Sequence, residues 1–235
     1  LICPHLRTAK FLEEAGKLNR QLLQCKNCEI VFQDPLHPPG DSLYNRRYLN
    51  KYFKYDEDGS GEELSKIRAS FLTGAPEGPV LDVGCGAGTF MQHCGREAVG
   101  LDISASAVQY CRQAGLTVYL CDAEYFEIQP GTFAAATFFD TLQLLAKPQQ
   151  ALLWIRHALV KGGFVVASLP IMPPNMGRWK HVKWGESLHY FSERALINMF
   201  TRAYYRVVRT SYDEDQVRGN LSDYPNIVSI VAEAV

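Results

Sequence analysis

Three glycines and three acids carry the clearest chemical signal in this 235-residue chain. The stretch Val80-Leu-Asp-Val-Gly-Cys-Gly-Ala-Gly-Thr-Phe90 sets Gly84, Gly86 and Gly88 between an apolar strand-like run and a helix-like one. Glycines there permit a tight turn and let a ligand approach the backbone closely. The helix that follows offers free N–H groups to an anionic group. Asp102 ends the next apolar run, roughly 20 residues past the start of the loop, where a carboxylate can accept hydrogen bonds from both ribose hydroxyls. Asp122 follows the third run, where an acid can accept from the exocyclic amine of a purine. Asp82 lies within the first strand, beside the loop. A nicotinamide or flavin fingerprint would read Gly-x-Gly-x-x-Gly and hold a pyrophosphate. The spacing here is Gly-x-Gly-x-Gly, and Asp82 would repel a pyrophosphate while suiting a ligand with a cationic amine.

These residues need a scaffold, and the pattern from residue 62 onward supplies one. Strands are expected at Val80–Val83, Ala98–Asp102, Leu116–Cys121, Phe133–Phe139, Phe164–Leu169, Tyr205–Tyr212 and Ile227–Ala232. Helices are expected at Glu63–Leu72, Thr89–Arg96, Ser104–Ala114, Pro148–Val160 and Glu193–Ala203, with Ser192 as the N-cap of the last. Lys161-Gly-Gly163 reads as the cap that ends one helix and delivers the chain to the next strand. Strands alternating with helices predict an α/β fold, a doubly wound and mostly parallel sheet. Ligands of such sheets bind outside the carboxyl ends of the strands, where the glycine loop falls.

Composition narrows the function classes. The chain is 47% hydrophobic, which excludes disorder as its main state. A net charge of -1 argues against bulk electrostatic grip on nucleic acid. No apolar run approaches the ~18 residues a membrane span needs, so no membrane partner is expected. The opening Leu-Ile-Cys-Pro-His is not a signal peptide, and the cytoplasm is the expected compartment. The cysteines Cys85, Cys94, Cys111 and Cys121 are scattered through strand and helix patterns, the usage of buried thiols in a reduced compartment.

The segment VLDVGCGAGTF resembles the first motif of class I S-adenosylmethionine-dependent methyltransferases. GLDIS, CDAE, FAAATFFDTLQLLAKP and LVKGGFVVASLP are similar to that superfamily's later motifs, in order. The resemblance covers roughly residues 62–235 and implies a Rossmann-like, seven-stranded sheet that binds S-adenosylmethionine. It implies that Asp82, Gly84, Gly86 and Gly88 form the methionine-end loop. Asp102 would hold the ribose and Ile103 pack on the adenine. Asp122 and Ala123 would meet the adenine edge, while Phe139 and Asp140 would line the methyl end.

Residues 1–58 read as a smaller N-terminal region. It carries a polar stretch, Thr8–Gln24, expected as a helix, and tyrosines at 44, 48, 52 and 55 that could form a lid or pack between the two regions. Cys25-Lys-Asn-Cys28 and the residues around it resemble the front end of a methyltransferase group with a small zinc-binding knuckle. Four thiolates at such spacings would make a closed structural zinc site. The first pair departs from that pattern, since Cys3-Pro-His-Leu6 lacks the second cysteine. The expected ligand set is therefore Cys3, His5, Cys25 and Cys28, or a cysteine upstream of Leu1 in place of His5; metal-free cysteines are the other reading.

Methyl transfer asks for alignment, exclusion of water and, for an oxygen acceptor, a base. The stretch Trp179–Ser192 resembles the family's Glu-His-x-His-Tyr-Phe-Ser segment, with Ser187 where a histidine is frequent. His189 heads the candidates for a base, followed by His181, Glu186 and Tyr190; packing is the competing role for His189 and Tyr190. Arg178, Lys180 and Lys183 alternate with Trp179 and Trp184, a pattern that fits RNA, a phosphorylated substrate or a plain solvated loop. The expected function is methyl transfer to a small-molecule acceptor. The alternatives are an RNA or protein methyltransferase, a nicotinamide-dependent oxidoreductase, and a binding protein without turnover.

Overall fold

The computed structural model describes residues 9–15, 20–36, 43–45, 47, 50, 60–125, 128–173, 176, 179–218 and 226–235. Cys3, His5, Tyr48, Tyr52, Tyr55 and Arg178 lie outside these residues. Seven strands form the large sheet: β4 (Val80–Val83), β5 (Ala98–Asp102), β6 (Thr117–Leu120), β7 (Phe133–Phe139), β8 (Leu159–Pro170), β10 (Tyr205–Ser211) and β11 (Ile227–Ala234). Their order is β10-β11-β8-β7-β4-β5-β6. The pairs β4–β5, β5–β6, β4–β7 and β7–β8 are parallel, and β11 runs antiparallel to both neighbours. The expected α/β class and mostly parallel seven-stranded sheet are what the chain forms.

The order places a topological switch point between β4 and β7. The chain winds outward from β4 through β5 to β6, then returns to the other side of β4 as β7. Both central strands are buried along their whole length. Their apolar side chains face helices on both sides, as a parallel sheet requires. The helices are α1 (Ser60–Ser70), α2 (Thr89–His93), α3 (Ala105–Gln113), α4 (Pro148–Ala158), α5 (Glu193–Arg202) and the short α6 (Glu214–Val217). Ser104 and Ser192 cap α3 and α5, each hydroxyl accepting an N–H three residues on, from Ala107 and Ala195 at 3.2 Å.

Two expectations change. Lys161-Gly-Gly163 does not cap α4, because strand pairing already begins at Leu159. Phe133 faces Leu159 but Ala135 faces Phe164, so the glycines form a bulge inside β8. A Cβ on Gly163 would lie 2.9 Å from the Val160 carbonyl oxygen, a contact only glycine avoids. The stretch expected as a helix over Thr8–Gln24 holds two antiparallel strands, β1 (Ala9–Ala15) and β2 (Arg20–Cys25). Tertiary pairing overrides its helix-favouring composition, since β2 buries Leu22 and Cys25 completely.

These strands belong to a second sheet in the order β1-β2-β3-β9, with β3 spanning Val31–Asp34 and β9 His189–Tyr190. The small sheet therefore takes its last strand from the far end of the chain. Cys25, Cys28, Ile30 and Phe32 share a core cluster with Leu81, Leu101 and Phe138 of the large sheet. Described residues of the two regions thus pack into one core.

Candidate functional site

A cleft with a cavity volume of about 230 Å³ opens at the carboxyl ends of β4, β5 and β7. It is lined by Asp82, Gly84, Gly86, Asp102, Ile103, Asp122, Ala123, Phe139 and Asp140, all of the expected cofactor residues except Gly88. The backbone explains the loop. Gly84, Gly86 and Gly88 have φ of 74°, 53° and 75°, left-handed values that burden any side chain. A Cβ on Gly84 would lie 2.3 Å from Thr141 Oγ1, so only glycine lets the loops after β4 and β7 meet. Gly86 has nothing within 4 Å of that position and faces open space. Gly88 does not line the cleft. It starts α2, and a Cβ there would lie 2.4 Å from Leu116 Cδ1.

The acids differ in preparation. Asp102 is held at both oxygens: Gly86 N–H donates to Oδ2 and Ser104 N–H to Oδ1, each at 2.8 Å. These bonds fix the carboxylate plane. Asp82 is 3% exposed and accepts from Thr137 Oγ1 at 2.7 Å. Burial pushes its carboxyl up to about 6, although the Thr137 bond and Arg68 pull the other way. A cationic ligand group would stabilise its ionised form. Asp122 orients the chain behind it, accepting from Glu124 N–H at 2.9 Å.

Asp140 stands at the end of β7 with φ of 57°, in a four-charge network that the sequence pattern did not reveal. Arg218 donates to Asp140 through both terminal nitrogens and to Glu214, while Arg68 bridges Asp140 and Glu214 at 3.1–3.2 Å. Burial would raise the Asp140 carboxyl, but Arg218 and then Arg68 outweigh it and hold it down to about 2. Glu214 is fully buried, and the same two arginines keep its carboxyl below its ordinary range despite that burial. Arg68, on α1, lines the cleft and stacks its guanidinium 4.3 Å from the centre of the Phe139 ring. No motif marks Arg68, Glu214 or Arg218: Glu214 and Arg218 are an i,i+4 pair, but the contacts that bring them to Asp140 and Arg68 span 72 to 146 residues.

The N-terminal region reaches the cleft through Tyr44, whose carbonyl accepts the Ser104 hydroxyl and which lines the cavity. His189, Tyr190 and His181 do not line it. His189 is 1% exposed on β9, paired with Phe32 of β3 and stacked near Phe191. Tyr190 is equally buried, its hydroxyl accepting from Gln33 Nε2 and from Lys183 N–H at 3.1 and 3.2 Å. Their placement is that of packing groups holding the 183–190 loop to the small sheet. His181 is half-buried, its ring 5.4 Å from that of Trp179. Trp179 and Trp184 are half-buried and pack against Leu22, Val31 and Tyr190, and Lys183 pairs with Glu186.

Gln33 was absent from the expected site and proves central to this loop. It is fully buried; its amide nitrogen lies within hydrogen-bond distance of the Lys183 and Ser187 carbonyls and the Tyr190 hydroxyl, among which its two N–H groups are shared, and its oxygen accepts from Gly185 N–H. Cys25 and Cys28 flank a tight turn in which Cys25 N–H meets the Ile30 carbonyl and Glu29 takes φ of 63°. Both are buried, but no group of three or more metal-ligating side chains exists among the described residues. Among these residues, no helix is long and apolar enough to cross a membrane.

A family model described as a methyltransferase domain matches residues 44–210. No curated protein matches the chain. Solved structures share its fold at low identity. A Thermotoga maritima S-adenosylmethionine-dependent methyltransferase, described as a possible histamine N-methyltransferase, aligns at 20% identity and a TM-score of 0.63, covering 80% of this chain and 97% of its own. A Haloferax volcanii putative methyltransferase, solved in complex with the Trm112 methyltransferase activator, aligns at 15% and 0.63, covering 80% and 94%. The geranyl diphosphate C-methyltransferase of Streptomyces coelicolor A3(2) aligns at 16% and 0.56, covering 72% and 79%.

Proposed function

The chain belongs to the methyltransferase-domain family and is an S-adenosylmethionine-dependent methyltransferase, and on that premise we propose that it methylates a small-molecule acceptor. The carrying observation is the convergence of Asp82, Gly86, Asp102, Asp122 and Asp140, from four separate segments, on one cleft. S-adenosylmethionine supplies a methyl group already activated on a sulfonium. In this reading Asp102 takes the ribose hydroxyls, with its carboxylate fixed in advance by Gly86 and Ser104. Ile103 and Ala123 give the adenine an apolar wall, and Asp122 its polar edge. Asp82 faces the ammonium, and Arg68 is placed to receive a carboxylate by exchanging one of its own acid partners. Phe139 and Asp140 close the methyl end and keep water from it.

A small acceptor is favoured over RNA because the tryptophans of the basic loop pack against Leu22, Val31 and Tyr190. Titration calorimetry tests the reading: S-adenosylmethionine and S-adenosylhomocysteine should bind and NADH should not. Binding of NADH alone would overturn it. We further propose that Cys25 and Cys28 contribute two thiolates to a structural zinc site. Their burial on one tight turn suits such a role, and their expected companions Cys3 and His5 lie outside the described residues. Elemental analysis should return about one zinc per chain, and its absence would leave the cysteines as packing groups.

A further inference from the structure

Asp140 owes its place in the cleft to an uncommon backbone. Its φ of 57° is left-handed, and glycines aside it is the one residue lining the cleft that takes such a value. Aspartate tolerates that conformation better than most residues, yet it persists only where the surroundings hold it. Two hydrogen bonds do so. The Asp140 N–H donates to the Ser168 carbonyl on β8 at 2.8 Å, a main-chain bond indifferent to side-chain identity. The Asp140 carbonyl accepts from Gln143 Nε2 at 2.9 Å, a bond that needs a donor side chain at position 143.

Gln143 makes this contact against its own packing interest. It is 8% exposed, and its carbonyl accepts the N–H of fully buried Leu188 at 2.9 Å, which fixes its backbone. A carbonyl oxygen only accepts, so the amide nitrogen must face Asp140 and Oε1 must point away. That oxygen has no hydrogen-bond partner among the described residues. An unpaired buried acceptor is unfavourable, and a methionine would fill similar space without one. The glutamine is explained by what its nitrogen holds.

We propose that Gln143 is a positioning residue: it holds the Asp140 peptide in its left-handed turn, sets where the Asp140 carboxylate stands, and so sets how strongly the cleft prefers S-adenosylmethionine to S-adenosylhomocysteine. The inference rests on the methyl-transfer reading above and deepens it, since it concerns how the site tells donor from product. The two ligands differ by a methyl group and one positive charge at sulfur, so a nearby anion separates them. Asp140 is that anion. Its side chain is 31% exposed, against 12% for Arg68, 22% for Arg218 and 0% for Glu214, so its carboxylate is the least covered charge of the network. Arg68, the other member that lines the cleft, lies over the Phe139 ring. Although burial opposes them, Arg218 and then Arg68 hold the Asp140 carboxyl down to about 2, so it stays ionised throughout the neutral range.

Titration calorimetry on the ligand-free protein reads the preference as the ratio of the two dissociation constants. Gln143→Met should lower the preference for S-adenosylmethionine by about fivefold and leave S-adenosylhomocysteine affinity within about twofold. It should unfold in urea at the parent's midpoint or above, because the unpaired oxygen is gone. Asp140→Asn should lower the same preference at least as far, and adding Gln143→Met to it should change nothing further. An unchanged ratio in Gln143→Met, an additive double variant, or a loss of stability in which both affinities fall together each overturns the inference. So does a Gln143→Met chain that fails to fold, since that assigns the residue to the fold itself. Any of these with S-adenosylmethionine still bound by the parent leaves the methyl-transfer reading intact. A parent that binds neither ligand removes both.

Discussion

The cleft has two ends built by different means. The cofactor end is local: Gly84, Gly86, Asp102 and Ser104 lie on adjacent strand ends, and their hydrogen bonds span 2 to 16 residues. The methyl end is assembled from afar. Arg68 meets Glu214 across 146 residues and Asp140 across 72, and Arg218 meets Asp140 across 78. The first end can be read as a motif, because a strand, a glycine turn and an acid fix each other's positions within one supersecondary unit. The second depends on which segments the fold brings together.

The largest effect should come from breaking the long-range end at its buried centre. Glu214→Ala removes the fully buried acid that Arg68 and Arg218 share, leaving them Asp140, and should cost about 3–5 kcal/mol of stability in urea denaturation. The acid's contribution also has a pH window. Its folded carboxyl lies below the unfolded value of 4.5, so the stabilisation is present above that pH and is lost as pH falls below it. In Glu214→Gln that acid dependence should flatten. A variant as stable as the parent would show that the network is dispensable.

Asp102→Ala attacks the local end. Loss of the fixed carboxylate that we propose takes the ribose hydroxyls should weaken S-adenosylmethionine by about 3 kcal/mol, near 100-fold by calorimetry, with little change in stability of the ligand-free protein. Unchanged affinity would remove Asp102 from the site. Gln33→Leu acts outside the cleft: it strips partners from the 183–190 loop at a cost of about 1–3 kcal/mol, while cofactor affinity stays within twofold. A matching loss of cofactor affinity would mean that the loop and the cleft are coupled.

The smallest effect is a titration. Asp82 is held up to about 6, and a cationic ligand favours its ionised form, so S-adenosylmethionine affinity should level off above that pH and fall below it. The loss should be about tenfold by pH 5, and Asp82→Asn should bind more weakly with no such slope. A flat profile in the parent would place the cation elsewhere.

Residue by residue, the contrast sets what could be read in advance. Val80–Val83, Ala98–Asp102 and Phe133–Phe139 were legible as strands because a buried parallel strand reads as a short, mostly apolar run. The β1–β2 hairpin was not, since its polar, helix-favouring composition is overridden by pairing with β3. His189 looked like a base because histidine in a polar aromatic loop has that chemistry. Its pairing with Phe32 turned it inward, and sequence carries no record of a two-residue strand joining a sheet begun more than 150 positions earlier.

The sequence by itself determined the fold class, the glycine loop and the acids at successive strand ends, because short-range geometry leaves those residues few alternatives. Tertiary structure decided that Asp140 is bound by two arginines, that Gln33 clamps the loop, and that neither His181 nor His189 lines the cleft. Those outcomes rest on contacts between distant segments, whose energies exist only once the two sheets have packed around one core.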